Sequence, residues 1–143
     1  MRYLIDTNVF LRLYSPEYGE LADDVKADLV DCENLLYISS ESIREIALLV
    51  EIGKINIAKW RTYKGLKSSL DEHGVEIRYV NEAHFKTLFK LRRTDDHHDP
   101  SDLVIVAQAI AEKITLVSTD TKFPDYIGQG LDFIPAQRRR RRK

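Results

Sequence analysis

Tyr3-Leu4-Ile5-Asp6-Thr7-Asn8 is a short apolar run that stops on a carboxylate, and Ile114-Thr115-Leu116-Val117-Ser118-Thr119-Asp120 repeats the plan near the far end of the chain. Each reads as a strand that delivers an acid at its end. Two further acids, Glu45 and Asp102, fall early in helix-like segments. In an open α/β sheet ligands bind outside the carboxyl ends of the strands, so acids brought there from distant segments converge on one pocket. Carboxylates gathered together repel one another unless a cation lies between them, and hard divalent cations such as Mg²⁺ and Mn²⁺ prefer oxygen ligands. Asp6, Glu45, Asp102 and Asp120 are therefore the candidate ligands of a Mg²⁺ or Mn²⁺ site.

Working outward from these two runs, strand-like and helix-like periodicity alternates along the chain, which predicts an α/β fold with a central, mainly parallel sheet flanked by helices. A helix through Val9, Phe10 and Leu13 stops at Ser15-Pro16, and a second, from Glu20 to Asp31, carries Leu21, Val25 and Leu29 on one stripe. Leu35 to Ser39 reads as a strand, followed by a Ser-rich helix start and the stripe Ile43, Ile46, Ala47 and Val50, closed by Gly53. Asn56 to Leu70 reads as one helix, and Val75 to Tyr79 alternates as an edge or half-buried strand. Asn81 is placed to cap a helix whose Phe85, Leu88 and Phe89 point one way. Pro100 to Glu112 is a further helix, and a short strand near Leu131 to Ile134 ends the pattern.

The chain has 143 residues, enough for one domain with a real core, expected over residues 1 to 137. No apolar stretch is long enough to span a bilayer and the beginning is not signal-like, so the cytoplasm is the expected location. Cys32 is the sole cysteine, which excludes an intramolecular disulfide and a zinc-finger ligand set; it reads as a small packing residue at a helix end. The net charge is -1, from 22 basic and 23 acidic side chains. Arg138 to Lys143 is an unbroken basic run of six, so the residues before it carry 16 basic against 23 acidic, a net of about -7. The basic tail is either a solubilising, disordered end or a contact for RNA phosphates.

Each acid has a structural alternative. Asp6 suits an N-cap or an Asx turn. Ser42-Ile43-Arg44-Glu45 matches a capping box, although Ser39 or Ser40 at the cap would free Glu45 for another role. In His97-His98-Asp99-Pro100-Ser101-Asp102, Asp99 before Pro100 reads as the N-cap, which leaves Asp102 in the first turn for a metal. His97 reads as solvated and His98 as orienting the helix start through a hydrogen bond. Asp120 suits a turn, with neighbouring hydroxyls able to bond a carboxylate. Their joint placement favours a common site over four independent caps.

These strings, together with Ile105-Val106-Ala107-Gln108-Ala109, resemble the PIN-domain ribonucleases, particularly the VapC-like toxins of type II toxin-antitoxin systems. Ser101 and Leu103 depart from that pattern, standing where many relatives carry phenylalanine and arginine. The resemblance implies a three-layer PIN-like fold and a metal-dependent endoribonuclease whose acidic quartet is Asp6, Glu45, Asp102 and Asp120, with Asp99 adjacent. It also implies an RNA substrate, a cognate antitoxin and a homodimer. The competing readings are a housekeeping RNA-processing enzyme, a DNA nuclease or phosphatase, and an inactive protein-interaction module whose acids serve as caps or receive a partner's arginines.

Overall fold

The computed structural model describes residues 1 to 94 and 99 to 137; the readings made for His97, His98 and the run from Arg138 to Lys143 lie outside them. Five strands, β1 (Arg2–Ile5), β2 (Leu35–Ser39), β3 (Val75–Arg78), β4 (Thr115–Ser118) and β5 (Phe133–Pro135), form one sheet in the order β3-β2-β1-β4-β5. Every pairing is parallel. The chain builds outward from β1 to β3 on one side, then returns to add β4 and β5 on the other. The order thus reverses at β1 and β4, and the register sets Ile5 opposite both Ile38 and Val117. At such a reversal the connections leave in opposite directions and open a crevice at the carboxyl ends.

Among the described residues six α-helices cover the sheet: α1 (Thr7–Tyr14), α2 (Asp23–Val30), α3 (Ser40–Glu51), α4 (Tyr63–Glu72), α5 (Glu82–Lys90) and α6 (Pro100–Glu112). Because strand side chains alternate, Tyr3, Ile5, Leu36, Ile38, Val75, Ile77 and Val117 face one core, where Phe10, Leu29, Ile46 and Leu70 meet them. Leu4 and Leu116 face the other, packed by Ile105, Val106 and Ala109 of α6 and by Phe123 and Tyr126 of the 3-10 segment Phe123–Gln129. This is the three-layer α/β arrangement expected of a parallel sheet buried on both faces. Among the described residues no helix is long and apolar enough to cross a membrane.

Several local expectations are corrected. The helix read over 56–70 is a 3-10 turn, Ala58–Arg61, followed by α4 with Thr62 as its cap; Trp60 in the turn is buried, stacked on Phe10 and bonded to Ser69 through its indole N–H. Leu21 is buried, but it precedes α2 and bridges to Gln137. Ala47 lies on the exposed side of α3 while Ile43, Ile46 and Val50 pack. Cys32 is exposed in the turn after α2, because the buried side of that helix is filled by Val25 and Leu29. Asn81 does cap α5, accepting from the Ala83 and His84 amides. However, α5 turns Phe85 and Phe89 to solvent, Phe89 being 89 % exposed, and buries His84 instead, whose Nε2 lies 3.1 Å from Glu112 of α6.

Candidate active site

At the crevice between β1 and β4 a cavity of about 200 Å³ is lined by Asp6, Thr7, Asn8, Glu45, Asp99, Asp102, Ile105 and Asp120. The four acids singled out in the sequence share this one wall, and Asp99 joins them.

Asp6 leaves the sheet directly after β1 and caps α1, its Oδ1 accepting the Val9 N–H at 2.9 Å. The capping reading of Asp6 therefore holds together with its place in the cavity. Its Oδ2 accepts a hydrogen bond from the Ser118 hydroxyl at the end of β4. Burial pushes the Asp6 pKa up to about 6: the Ser118 and Val9 hydrogen bonds oppose that rise, and the charges of Asp102 and Glu45 add to it. The same Ser118 oxygen accepts the Asp120 N–H at 3.0 Å, so one hydroxyl ties together the acid-bearing ends of β1 and β4. Asp120 in turn accepts the Lys122 N–H at 2.7 Å, the turn geometry expected of it.

The start of α3 is capped by Ser39, whose hydroxyl accepts the Glu41 N–H, so Glu45 stands in the second turn and is not needed as a cap. Glu45 is half-buried. Desolvation is the largest cause of its raised pKa, followed by the charges of Asp102 and Asp99, with Thr7 and Arg44 acting in the opposite sense. The Thr7 hydroxyl approaches Glu45 but completes no full hydrogen bond there. At α6, Asp99 accepts the Ser101 N–H at 2.9 Å and Pro100 occupies the first helical position. Asp102 falls in the first turn, where the positive end of the helix dipole favours an ionised carboxylate. Leu103 packs into the second core.

This donor set is all oxygen, and its gathered charges add to the raised pKa of Asp6 and of Glu45, a cost that a bound dication offsets; its chemistry fits Mg²⁺ or Mn²⁺. Among the described residues no three of the acids are already gathered closely enough to enclose one ion. A larger groove of about 690 Å³ elsewhere, walled by Trp60, Tyr63 and Leu66, is mainly apolar and offers no comparable donor set.

Acids from four segments of the chain thus line one cavity at the switch point of a parallel α/β sheet. Residues 3–128 match the PIN domain family, and the chain belongs to it, a family of nucleases. No curated protein sequence matches the chain. Among solved structures it resembles Rickettsia felis VapBC2 bound to a DNA fragment from its promoter, at 22% identity and TM-score 0.69, over 96% of this chain and 100% of that one. VapBC-1 from nontypeable Haemophilus influenzae matches at 17% identity and TM-score 0.63, over 94% and 98%. VapBC-5 from Mycobacterium tuberculosis, a member of the VapBC family of toxin-antitoxin systems, matches at 16% identity and TM-score 0.62, over the same shares, 94% and 98%.

The cap and the first-turn acid of α6 separate by experiment. Asp99→Asn keeps an oxygen that accepts the Ser101 N–H, so its stability should stay within about 0.5 kcal/mol of wild type, whereas Asp99→Ala should lose about 1 kcal/mol. Asp99→Asn should also disturb Mn²⁺ binding less than Asp102→Asn does. Paired calorimetric titrations check this, and the reverse order would exchange the two roles.

Proposed function

We propose that this chain is a metal-dependent endoribonuclease and the toxin of a toxin-antitoxin pair, acting in the cytoplasm. The observation that carries the reading is the convergence of Asp6, Glu45, Asp102 and Asp120 on one cavity at the β1/β4 crevice. Asp6, Glu45 and Asp102 are the principal ligands, and Asp120 either serves a second ion or orders water. When bound, Mg²⁺ or Mn²⁺ supplies water of lowered pKa and offsets charge developing on the phosphodiester. The protein's own part is positional. Ser118 fixes the Asp6 carboxylate through Oδ2, the first turn of α1 fixes it through Oδ1, and the α6 dipole favours negative charge at Asp102.

The structural likeness to VapBC complexes supports an antitoxin as the partner. A basic side chain inserted between Asp6 and Asp102 would form charge-assisted hydrogen bonds there and exclude both cation and substrate. A second copy of the chain belongs to the same reading, and the exposed Phe85 and Phe89 supply apolar surface for pairing.

Purified protein should cleave RNA with Mg²⁺ or Mn²⁺ and stop in EDTA, and the product of a neighbouring small gene should inhibit it. Cleavage that persists in EDTA and in Asp6→Asn but is lost on changing His97 or His98 would replace the metal mechanism with histidine acid-base chemistry. DNA cleaved in preference to RNA would move the chain to the DNA-nuclease reading.

A further inference from the structure

The cavity poses an electrostatic problem for any phosphodiester. Five carboxylates line it, so even with one dication in place an approaching anion meets net negative charge. The guanidinium of Arg44 acts on two of its lining carboxylates, Glu45 and Asp99. Arg44 precedes Glu45 on α3, and its Nη2 donates to the Ser101 hydroxyl at 2.7 Å, which joins α3 to the first turn of α6. Nε and Nη2 also donate to Oε2 of Glu41 at 3.2 and 2.8 Å. The positive charge of Arg44 acts on Glu45 and, in return, feels Asp99.

These contacts occupy one side of the guanidinium. Among the described residues Nη1 has no hydrogen-bond partner, and 61 % of the side chain is exposed. The fork is held by its bonds to Glu41 and Ser101 while most of the side chain stays exposed to solvent, within reach of the charges of Glu45 and Asp99. Neither neighbour consumes the group: the Arg44 end of the pair with Glu41 is 61 % exposed, so solvent screens it and its net energy is small, and the Ser101 hydroxyl is neutral. A guanidinium presents parallel donors that match phosphate oxygens, and a pre-oriented one loses less freedom on binding.

Building on the nuclease reading, we propose that Arg44 is a substrate-binding residue which takes a phosphate of the RNA strand beside the cleaved bond, held in place by Glu41 and Ser101. It touches a non-bridging phosphate oxygen and gives the strand a fixed point of entry without contacting the reacting atoms. Glu41 and Ser101 act through it as positioning residues.

Cleavage kinetics on a short single-stranded RNA with Mg²⁺ test this. Arg44→Ala should raise KM about tenfold with kcat falling less than about threefold, because the lost contact is made equally in ground and transition states. The slope of log KM against log salt should become shallower by about one phosphate contact. Arg44→Lys should recover part of the KM loss and most of the salt slope, since it keeps the charge and loses the fork. Ser101→Ala removes the bridge between α3 and α6 but leaves the cation, so its KM should change less than Arg44→Ala. An unchanged KM in Arg44→Ala overturns the assignment, as does a loss confined to kcat or a Ser101→Ala variant that matches it; the bridge would then be purely structural.

A second arm measures equilibrium binding of fluorescein-labelled RNA to Asp102→Asn, with and without Arg44→Ala, in Mg²⁺. If wild-type protein cleaves no RNA, the nuclease reading fails on its own terms. The binding arm still decides Arg44: weaker binding upholds the phosphate contact and equal binding refutes it. Equal RNA binding combined with weakened inhibition by the antitoxin would give Arg44 to the protein partner instead and overturn the proposal.

Discussion

Asp6→Asn and Asp102→Asn should each lower metal-dependent RNA cleavage on the order of a thousandfold or more, a loss of about 4 kcal/mol of transition-state stabilisation. The substitution is nearly isosteric and leaves one oxygen able to accept a hydrogen bond, so it removes charge more than shape. In Asp6→Asn the retained Oδ1 still caps α1, and the new amide can donate to Ser118 where a hydroxyl formerly donated to the carboxylate. In Asp102→Asn only the favourable charge at the α6 N-terminus is lost, worth about 0.3–1 kcal/mol. Both variants should therefore fold, as far-UV circular dichroism checks, while Mn²⁺ affinity and turnover collapse together. If both remain fully active, the carboxylates at this crevice are not the ligands. Loss of turnover with Mn²⁺ binding intact would assign the acids to substrate orientation.

The sheet was legible because its central strands, β1 and β4, are buried on both faces and bounded by sharp polar ends: Tyr3 to Ile5 and Thr115 to Ser118 leave little choice of element. The positions of Asp6 and Asp120 followed from the same boundaries, since a residue just past a parallel strand lies at the carboxyl end of the sheet, whereas Glu45 and Asp102 were placed by the reading of two helix starts. Where sequence reasoning failed, tertiary contact overrode local pattern. Phe85 and Phe89 imitate a core stripe, yet His84, paired with Glu112, is the residue that α5 buries. Trp60 looked like part of a long helix, but stacking on Phe10 favours a 3-10 turn that ends before Thr62. The role of Ser118 in linking Asp6 to Asp120 depends on strand register, which one strand's sequence does not carry. Arg44 left no sequence signal, because an exposed arginine in the first half of a helix is ordinary until Ser101 is seen across from it.

The buried carboxylate of Asp6 should also make the metal-free protein less stable at neutral pH than its own asparagine variant. Its pKa is raised from 3.8 to about 6, chiefly by burial. Well below pH 4 the group is protonated in both the folded and unfolded chain and costs nothing. As pH rises from about 4 to about 6 the unfolded chain gives up its proton while the folded chain holds it, so the stability present in acid is lost across that window and stays lost above it. A shift of about two units corresponds to about 3 kcal/mol. Asp6→Asn has no such proton to lose. In EDTA, its stability advantage over wild type should grow from near zero at pH 4 towards about 3 kcal/mol at pH 7, read as the difference between urea-unfolding free energies, in which other titrating groups largely cancel. Mg²⁺ or Mn²⁺ should then narrow the gap at pH 7, because a ligand that binds only the folded, ionised site stabilises wild type by mass action and gives the variant little. A gap that does not change with pH would mean that the folded protein holds Asp6 ionised at no cost. An asparagine variant less stable than wild type at pH 7 would show that its bonds to Val9 and Ser118 outweigh the burial of charge. With the expected sign, and with metal narrowing the gap, the carboxylate that weakens the empty fold would be the one that takes the cation on the proposed reading.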